Sequence, residues 1–569
     1  MYTFVQYLTV FLQIFIVSIF LSGSGFILKK KLFNQQYHLS FESNIIWGLI
    51  LISFISLIIN FFLPLNMAVN SVIFILISFY FIFEGYFDQN RKKLIKNSIL
   101  VTCLSFILII HSNVNNPDAL LYHLPFTRMI NDFKILIGSH NIHHRFAHTS
   151  IIQYTSAFFN LFFIGKNGIL LPLAILISTF LIYFYKQFKS LFKFKHSRIN
   201  SLIAFFILIV SIYSFNRYSN YGNDAPVHLF YFLIFVYIFK YNLDFKNNIL
   251  LKKITLISLF CFFLKPFYLI AGLIPLGFLI YNKNYKIFFF SSFFIFISIF
   301  SFAWFLKNFL ISSCLIYPLK FTCFKSIIWS NINEVEKQDL YGEAMSKSWQ
   351  DRTNMDISMN EFNQNFTWVD TWLNNHFFVV SEKFFPIFLF FILFFLFIFF
   401  ANILIYKKKF FNLNNIVYFL LVINLVGLLL WFLKFPIYRY GQSFIFCSFL
   451  IIFYIIFFNK IDIVKLYKRK IILIFFLVLI FCGAILKNLD RISKKIKDPI
   501  MPYMFDNIIH QNISLKFYNN NGIFTHYIKS GGGLCGYSIS PCSELKNKNI
   551  NTKEKYGYKI FFINVNDIN

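Results

Sequence analysis

Charge is scarce in this sequence. Asp, Glu, Lys and Arg make up 13% of its 569 residues, where a soluble protein carries about a quarter. So few polar groups cannot cover the surface of a water-soluble globule, and the chain needs lipid as its solvent. Nucleotide and nucleophile signatures are missing as well: there is no Walker loop, no Rossmann glycine fingerprint and no Ser nucleophile elbow. Their absence argues against ATP-driven transport by this chain alone. The long apolar stretches carry few charges, which argues against an ion-coupled transporter. No internal repeat is visible.

What the chain does have is apolar residues, 58% of the total, with 86 Phe. Apolar runs of roughly 16 to 25 residues recur along its whole length, the span of a membrane helix. The net charge of +30 sits mostly in short Lys/Arg clusters between these runs. That is the pattern of cytoplasmic loops under the positive-inside rule, and it makes nucleic acid an unneeded partner. The runs predict about fourteen crossings, near 6–28, 44–63, 68–87, 97–112, 168–187, 200–216, 226–241, 253–264, 266–281, 287–304, 384–404, 413–433, 441–459 and 470–487. The first has no charged n-region and no small-residue cleavage site, so it reads as a retained helix. With the clusters at Lys29–Lys31, Arg91–Lys96, Lys186–Arg198, Lys252–Lys253, Lys283 with Lys286, Lys407–Lys409 and Lys460–Lys470 inside, the outer segments are 113–167, 217–225, 305–383, 434–440 and the tail from 488.

Three stretches strain this reading. Residues 149–164 are apolar enough to cross, but a crossing there would put Lys186–Arg198 outside; they read better as an amphipathic helix lying on the membrane, with Gln153 and Asn160 on its polar side. Lys265-Pro266 interrupts the run at 253–281 and predicts a tight hairpin with Lys265 at its outer tip. The tail opens with Lys487, Arg491, Lys494, Lys495 and Lys497, which suits the inside, while its cysteines suit the outside. Cys535 and Cys542 stand in Gly531-Gly-Gly-Leu-Cys-Gly-Tyr-Ser-Ile-Ser-Pro-Cys542, where Gly and Pro around a short pair favour a disulfide-closed loop in an oxidising compartment. A zinc site would need further ligands nearby. Cys314 and Cys323 are a second candidate pair, and the remaining four cysteines lie in apolar runs. The predicted fold is an all-α polytopic membrane protein, with a helical body over 1–487 and a small α/β lobe over 488–569.

The outer segments hold the unusual polar residues. The first contains Asn116-Pro-Asp-Ala-Leu-Leu-Tyr-His-Leu-Pro125 and Ser139-His-Asn-Ile-His-His-Arg-Phe-Ala-His148. Asp118 follows a crossing closely. A carboxylate there can take a proton from a hydroxyl, hold a divalent cation against a phosphate, or cap the helix that follows. His123, His140, His143, His144 and His148 form a cluster whose spacing matches no defined metal motif. Arg145 offers a planar fork suited to phosphate. Asp224, in Arg217-Tyr-Ser-Asn-Tyr-Gly-Asn-Asp-Ala-Pro226, is a second isolated acid just before a crossing, either a cap or part of a head-group site with Lys265. Trp304 and Lys307 have an interfacial character. Arg439 is a lone cation at an outer helix end, an anchor or a phosphate ligand.

Taken in order, these pieces form a set. Asp118 to Pro125 is followed by His144-Arg145 with Ser150, Asn223-Asp224, Trp304 with Lys307-Asn308, Tyr317-Pro318 and the Cys535–Cys542 tail. The set resembles a family of bacterial polytopic membrane proteins related in plan to the GT-C glycosyltransferases, which take a sugar from a polyprenyl phosphate carrier at the outer face of the inner membrane. Two positions depart from that pattern: Lys307 stands where Arg is expected, and His148-Thr149-Ser150 where an Asn-Ser pair is expected. The resemblance implies a GT-C-like body in the bacterial inner membrane. Asp118 would be the general base for an inverting transfer, or would hold the acceptor, and Asp224 would be the second acid. Lys265, Arg145 and Arg439 would bind the lipid phosphate, with Tyr122, His123, Trp304 and Lys307 as further substrate contacts. It leaves a divalent metal ion open as cofactor, with no ligand set defined. The implied partners are membrane lipid and a polyprenyl-phosphate-linked sugar. The competing expectation is a non-catalytic flippase, exporter or polymerase component of surface polysaccharide assembly.

Overall fold

The computed structural model describes residues 4–33, 40–88, 91–110, 118–193, 198–215, 221–244, 246–282, 288–353, 355–364, 366–400, 415–457, 470–496, 515–520, 523–528, 534–544 and 549–563. Segments 113–117 and 217–220 and the basic positions 195, 283, 286, 407–409, 460–469 and 497 lie outside these residues.

Helix occupies each of the fourteen apolar segments. In chain order the main helices are α1 (Phe4–Phe33), α2 (Phe41–Phe62), α3 (Met67–Phe83), α4 (Arg91–Ile110), α5 (Leu124–Asp132), α6 (Ile151–Phe158), α7 (Leu171–Lys193), α8 (Arg198–Ser214), α9 (Asp224–Lys240), α10 (Asn248–Leu264), α11 (Leu273–Asn282), α12 (Ser292–Ser312), α13 (Ile332–Ser346), α14 (Phe378–Phe400), α15 (Asn415–Lys434), α16 (Tyr438–Phe457) and α17 (Lys470–Ile496). Among the described residues, seven helices are long and apolar enough to cross a membrane: Phe4–Phe33, Phe41–Phe62, Lys166–Ser190, Ser292–Ser312, Val369–Phe394, Asn415–Lys434 and Tyr438–Ile456. The chain is a helical membrane protein. Large apolar side chains such as Phe79, Ile107, Phe302, Phe400 and Leu429 remain exposed along these helices, as a lipid-facing surface requires.

Capping fixes several starts. The Ser40 and Asn66 side chains accept from Ser43 N–H and Val69 N–H at the heads of α2 and α3. Helices α1 and α2 then touch backbone to backbone. A Cβ on Gly25 would stand 1.7 Å from the Asn44 carbonyl oxygen, and one on Gly48 1.8 Å from that of Leu21. Small residues at such a crossing let helices pack where lipid supplies no hydrophobic drive.

Polar contacts separate the two ends of the bundle. At one end Glu84 pairs with Lys30 and Lys31, Lys186 with Glu42, and Lys253 with the Tyr241 hydroxyl. The segments expected outside gather at the other end. There the loop after α12 carries a Cys314–Cys323 disulfide and packs Phe362, Trp368 and Trp372 against Trp431 of α15 as a small second core. Trp372 Nε1–H donates to Pro436 O at 2.6 Å and Ser346 Oγ to Lys434 O at 3.2 Å, so this loop covers the α15–α16 turn.

Two expectations are corrected here. Residues 149–164 do not present an amphipathic face to the membrane. Helix α6 is eight residues long and all eight are buried, because Gln153 and Asn160 find partners inside the protein: Gln153 with His123 and Ser150, and Asn160 with the Tyr537 hydroxyl. The tail opens as the end of α17, to Ile496, and beyond it its described residues form strands and turns with no further helix. Strands β1 (Leu515–Asn520) and β2 (Ile523–Ile528) are antiparallel, β3 (Cys542–Ser543) runs parallel to β2, and β4 (Ile550–Lys555) and β5 (Tyr558–Ile563) form a hairpin. Tyr556 and Gly557, both at positive φ, make its two-residue turn.

The lobe packs on the first outer segment, which settles on which side the tail lies. Ile137 N–H donates to Lys559 O and Phe561 N–H to Ile137 O, at 3.0 and 2.9 Å; Gly536 N–H donates to Leu120 O at 2.8 Å; and the Tyr537 hydroxyl donates to Asn131 Oδ1 at 2.7 Å. The basic run from Lys487 therefore leads to the loop end of the bundle. The Cys535–Cys542 disulfide closes the loop that carries Gly536 and Tyr537.

Candidate functional site

Asp118 precedes a π-helical turn, Ala119–His123, that runs into α5. Its side chain makes no capping hydrogen bond. A wide turn of this kind is a common device at functional sites; here the carboxylate is aimed at two cations. Arg439 Nη1 stands 2.5 Å from Asp118 Oδ2, and Arg145 Nη1 stands 3.9 Å from Asp118 Oδ1. Asp224, the first residue of α9, approaches from the other side. Its Oδ1 accepts from Lys265 Nζ at 2.5 Å, and its Oδ2 lies 3.9 Å from the same Arg439 Nη1. One guanidinium nitrogen therefore sits between two carboxylates carried by separate segments.

Local structure delivers each cation. Lys265 is the extended residue between α10 and the 3₁₀ turn Pro266–Gly272, where Pro266 ends the α-helix and turns the ammonium inward. The ammonium lies 3.4 Å from the centre of the Tyr440 ring. Arg439 lies in the first turn of α16, held by the α15–α16 turn under the Trp372 cover. Arg145 stands over Tyr122 at 5.7 Å.

Burial raises the pKa of Asp224, but Lys265 and Arg439, with the hydrogen bond from Lys265, outweigh it and leave the carboxyl at about 2. Burial lowers His123 to about 4, so it is neutral near pH 7. Its tautomer is set from behind. Ser150 N–H donates to Gln153 Oε1 at 2.8 Å, so Gln153 Nε2 faces His123 Nδ1 at 3.0 Å as a donor. The neutral ring then carries its proton on Nε2, the nitrogen that faces Gly222, where a Cβ would come within 3.3 Å. Gln153 was not singled out as a site residue from the sequence, although Ser150-x-x-Gln153 is a capping-box spacing that signals it.

The structure thus brings together Asp118, Asp224, Tyr122, His123, Arg145, Lys265 and Arg439. It does not bring Trp304 and Lys307 to an interface. Both are fully buried in α12, where Lys307 Nζ donates to Thr149 Oγ1 and lies 3.4 Å from the Trp304 ring centre. The two departures from the expected pattern, at 149 and 307, are the two ends of this one contact. The other histidines disperse. His140 Nδ1 meets Ile311 O at 2.9 Å, His143 Nδ1 accepts from Arg145 N–H, and His148 packs edge-on against Tyr317. Among the described residues no three His, Cys, Asp or Glu side chains converge as a metal ligand set. The place a divalent cation would take between the two carboxylates holds the Arg439 guanidinium, so the arrangement does not fit that ion and no step is drawn through one.

A many-helix body with seven helices long and apolar enough to cross a membrane among its described residues defines a polytopic membrane protein, and its carboxylate–cation site lies at one end of the bundle. The chain belongs to the family described as Domain of unknown function (DUF8201), whose model matches residues 7–446. That span holds every residue of the carboxylate–cation site and stops short of α17 and the β lobe. No curated protein and no solved structure matches the chain.

Proposed function

We propose that this protein is a membrane glycosyltransferase of the GT-C plan, with about fourteen crossings, that transfers a sugar from a polyprenyl-phosphate carrier to a glycan or lipid at the outer face of a bacterial inner membrane. The observation that carries the reading is the convergence of Asp118 and Asp224 on Arg439, with Lys265 and Arg145 beside them at one end of the bundle. Three cations face two carboxylates among the described residues, which leaves positive charge for a phosphate. The Cys535–Cys542 and Cys314–Cys323 disulfides at this end support its placement in an oxidising compartment.

In the reaction, an acceptor hydroxyl attacks the anomeric carbon of the sugar. The bond from that carbon to the carrier phosphate oxygen breaks, and the phosphate leaves with its electron pair. Arg439, Lys265 and Arg145 hold the departing phosphate. Asp224, with its pKa near 2, makes a poor base and serves to position Lys265 and Arg439. Asp118 takes the hydroxyl proton once the phosphate has drawn Arg439 away from it. The test is Asp118→Asn in cells, with protein abundance monitored. The expected result is loss of the surface glycan at unchanged abundance; unchanged glycan refutes the reading.

The helix break at Lys265-Pro266 favours a second reading, a flippase, since discontinuous helices line transport sites. Purified protein in liposomes that moves a glycolipid between leaflets without any glycosyl transfer would decide for it.

A further inference from the structure

Lysines also gather at the opposite end of the bundle, where α1, α9 and α10 meet. Lys29, 2% exposed, donates to Asn44 Oδ1 at 2.9 Å. Lys253, 6% exposed, donates to the Tyr241 hydroxyl at 3.1 Å and lies 5.4, 5.6 and 5.9 Å from the ring centres of Tyr237, Tyr241 and Phe33. Lys240 closes α9 and is exposed. The charges acting on Lys29 are Lys253, Lys240 and Glu42. Glu42 is fully buried and already pairs with Lys186, whose Nζ is 2.6 Å from its Oε1. Among the described residues none of Lys29, Lys240 and Lys253 makes a salt bridge with an acidic side chain. Lys29, Lys240 and Lys253 therefore stand together without a paired carboxylate of their own among the described residues.

An amide oxygen, a hydroxyl and ring faces satisfy ammonium hydrogens without supplying a counter-charge. Like charges in a half-dry site repel, and burying them without an anion is costly. A bundle that only needed positive charge at this face could keep its lysines in water, as the exposed Lys92 and Lys93 are kept. Lys29 and Lys253 instead turn into the protein, with Lys240 at the mouth. Ile249 on the first turn of α10 is 37% exposed and gives the mouth an apolar flank.

We propose that Lys29, Lys240 and Lys253 form a binding site for a phosphate group, presented by the head group of an anionic lipid in the adjoining leaflet. The phosphate supplies the missing counter-charge, and the acyl chains lie against the apolar flank of α10. Basic pockets between helices at a membrane face take such head groups. The proposal is independent of the chemistry at the other end.

The experiment uses the full chain in nanodiscs of phosphatidylcholine alone, of phosphatidylcholine with phosphatidylglycerol, and of phosphatidylcholine with added inorganic phosphate, and reads the thermal midpoint. Phosphatidylglycerol should raise it by about 2–4 °C. Lys253→Met and Lys240→Met should lose that rise, while Lys92→Met, which removes an exposed charge outside the cluster, should keep it. Lys253→Met should also be at least as stable as the parent in phosphatidylcholine alone, because repulsion is relieved. If the parent melts alike in both lipids, or if Lys253→Met keeps the rise, the site is refuted. If inorganic phosphate gives the same rise and Lys253→Met abolishes it, the lipid source is overturned in favour of a soluble phosphate.

Discussion

Unpairing Lys265 tests the site most directly. Its side chain is 9% exposed and its Nζ hydrogen-bonds Asp224 Oδ1 at 2.5 Å, while the Asp224 side chain is 33% exposed. Asp224→Asn preserves the size and one acceptor oxygen but removes the charge. Arg439, 3.9 Å from the other oxygen, then faces Lys265 across a neutral amide. Removing one member of a fully buried pair costs about 3–5 kcal/mol. Water reaches a third of Asp224 and screens the pair, so the expected cost is about 2 kcal/mol. Lys265→Met should cost less, about 1 kcal/mol, because Asp224 keeps Arg439 as a partner. The double variant should lie close to Lys265→Met alone, a coupling of about 1–2 kcal/mol. Denaturant unfolding in detergent, read by tryptophan fluorescence, measures all four proteins; Trp372 of the covering loop and Trp431 of α15 report from the small core at this end. If the two single costs simply add in the double variant, the ion pair does not hold the site together and the reasoning fails.

Two further outcomes follow from the geometry. Burial lowers His123, His140 and His144 to about 4, and His143 and His148 to about 3, against an ordinary value of 6.5. Each pKa is lower folded than unfolded, so the first outer segment is fully stable above pH 6.5 and loses stability as pH falls toward 4, by about 1.4 kcal/mol per unit for each histidine. Asp224, held near 2, keeps its contribution until the pH drops below about 4; unchanged hydrogen-exchange protection of residues 118–148 between pH 7 and 5 would refute the assignment. Gly48→Ala should cost about 3 kcal/mol, since its Cβ would meet backbone 1.8 Å away, and a neutral unfolding midpoint would disprove the α1–α2 contact.

Much of the helical body can be read from apolar run length, because a lipid solvent imposes one demand that a local window can measure. Asp118 and Asp224 stand out in the sequence for a related reason: an isolated acid beside a crossing is costly and needs a purpose. Their partners are not readable in the same way. Arg439 is 321 residues from Asp118, and its designation as an anchor or a phosphate ligand stays undecided until the α15–α16 turn is placed under the Trp372 cover. Lys307 reads as interfacial because a Lys beside a Trp at a helix end usually is; only the packing of α12 against Thr149 shows it fully buried. Gln153 is visible as a capping residue, but its hold on His123 depends on α6 folding back under the π-helical turn.

By itself the sequence determined that this chain lives in lipid, that each of its fourteen apolar segments is helical, and that Asp118, Asp224 and both disulfide pairs belong to the segments between them. Those features follow from solvent and local periodicity. The tertiary structure alone decided that Arg439 stands between Asp118 and Asp224, that residues 149–161 lie inside the protein, and that the tail caps the first outer segment with strands. These depend on which distant segments meet, and a charge chooses its partner by proximity in space, which no local pattern along the chain encodes.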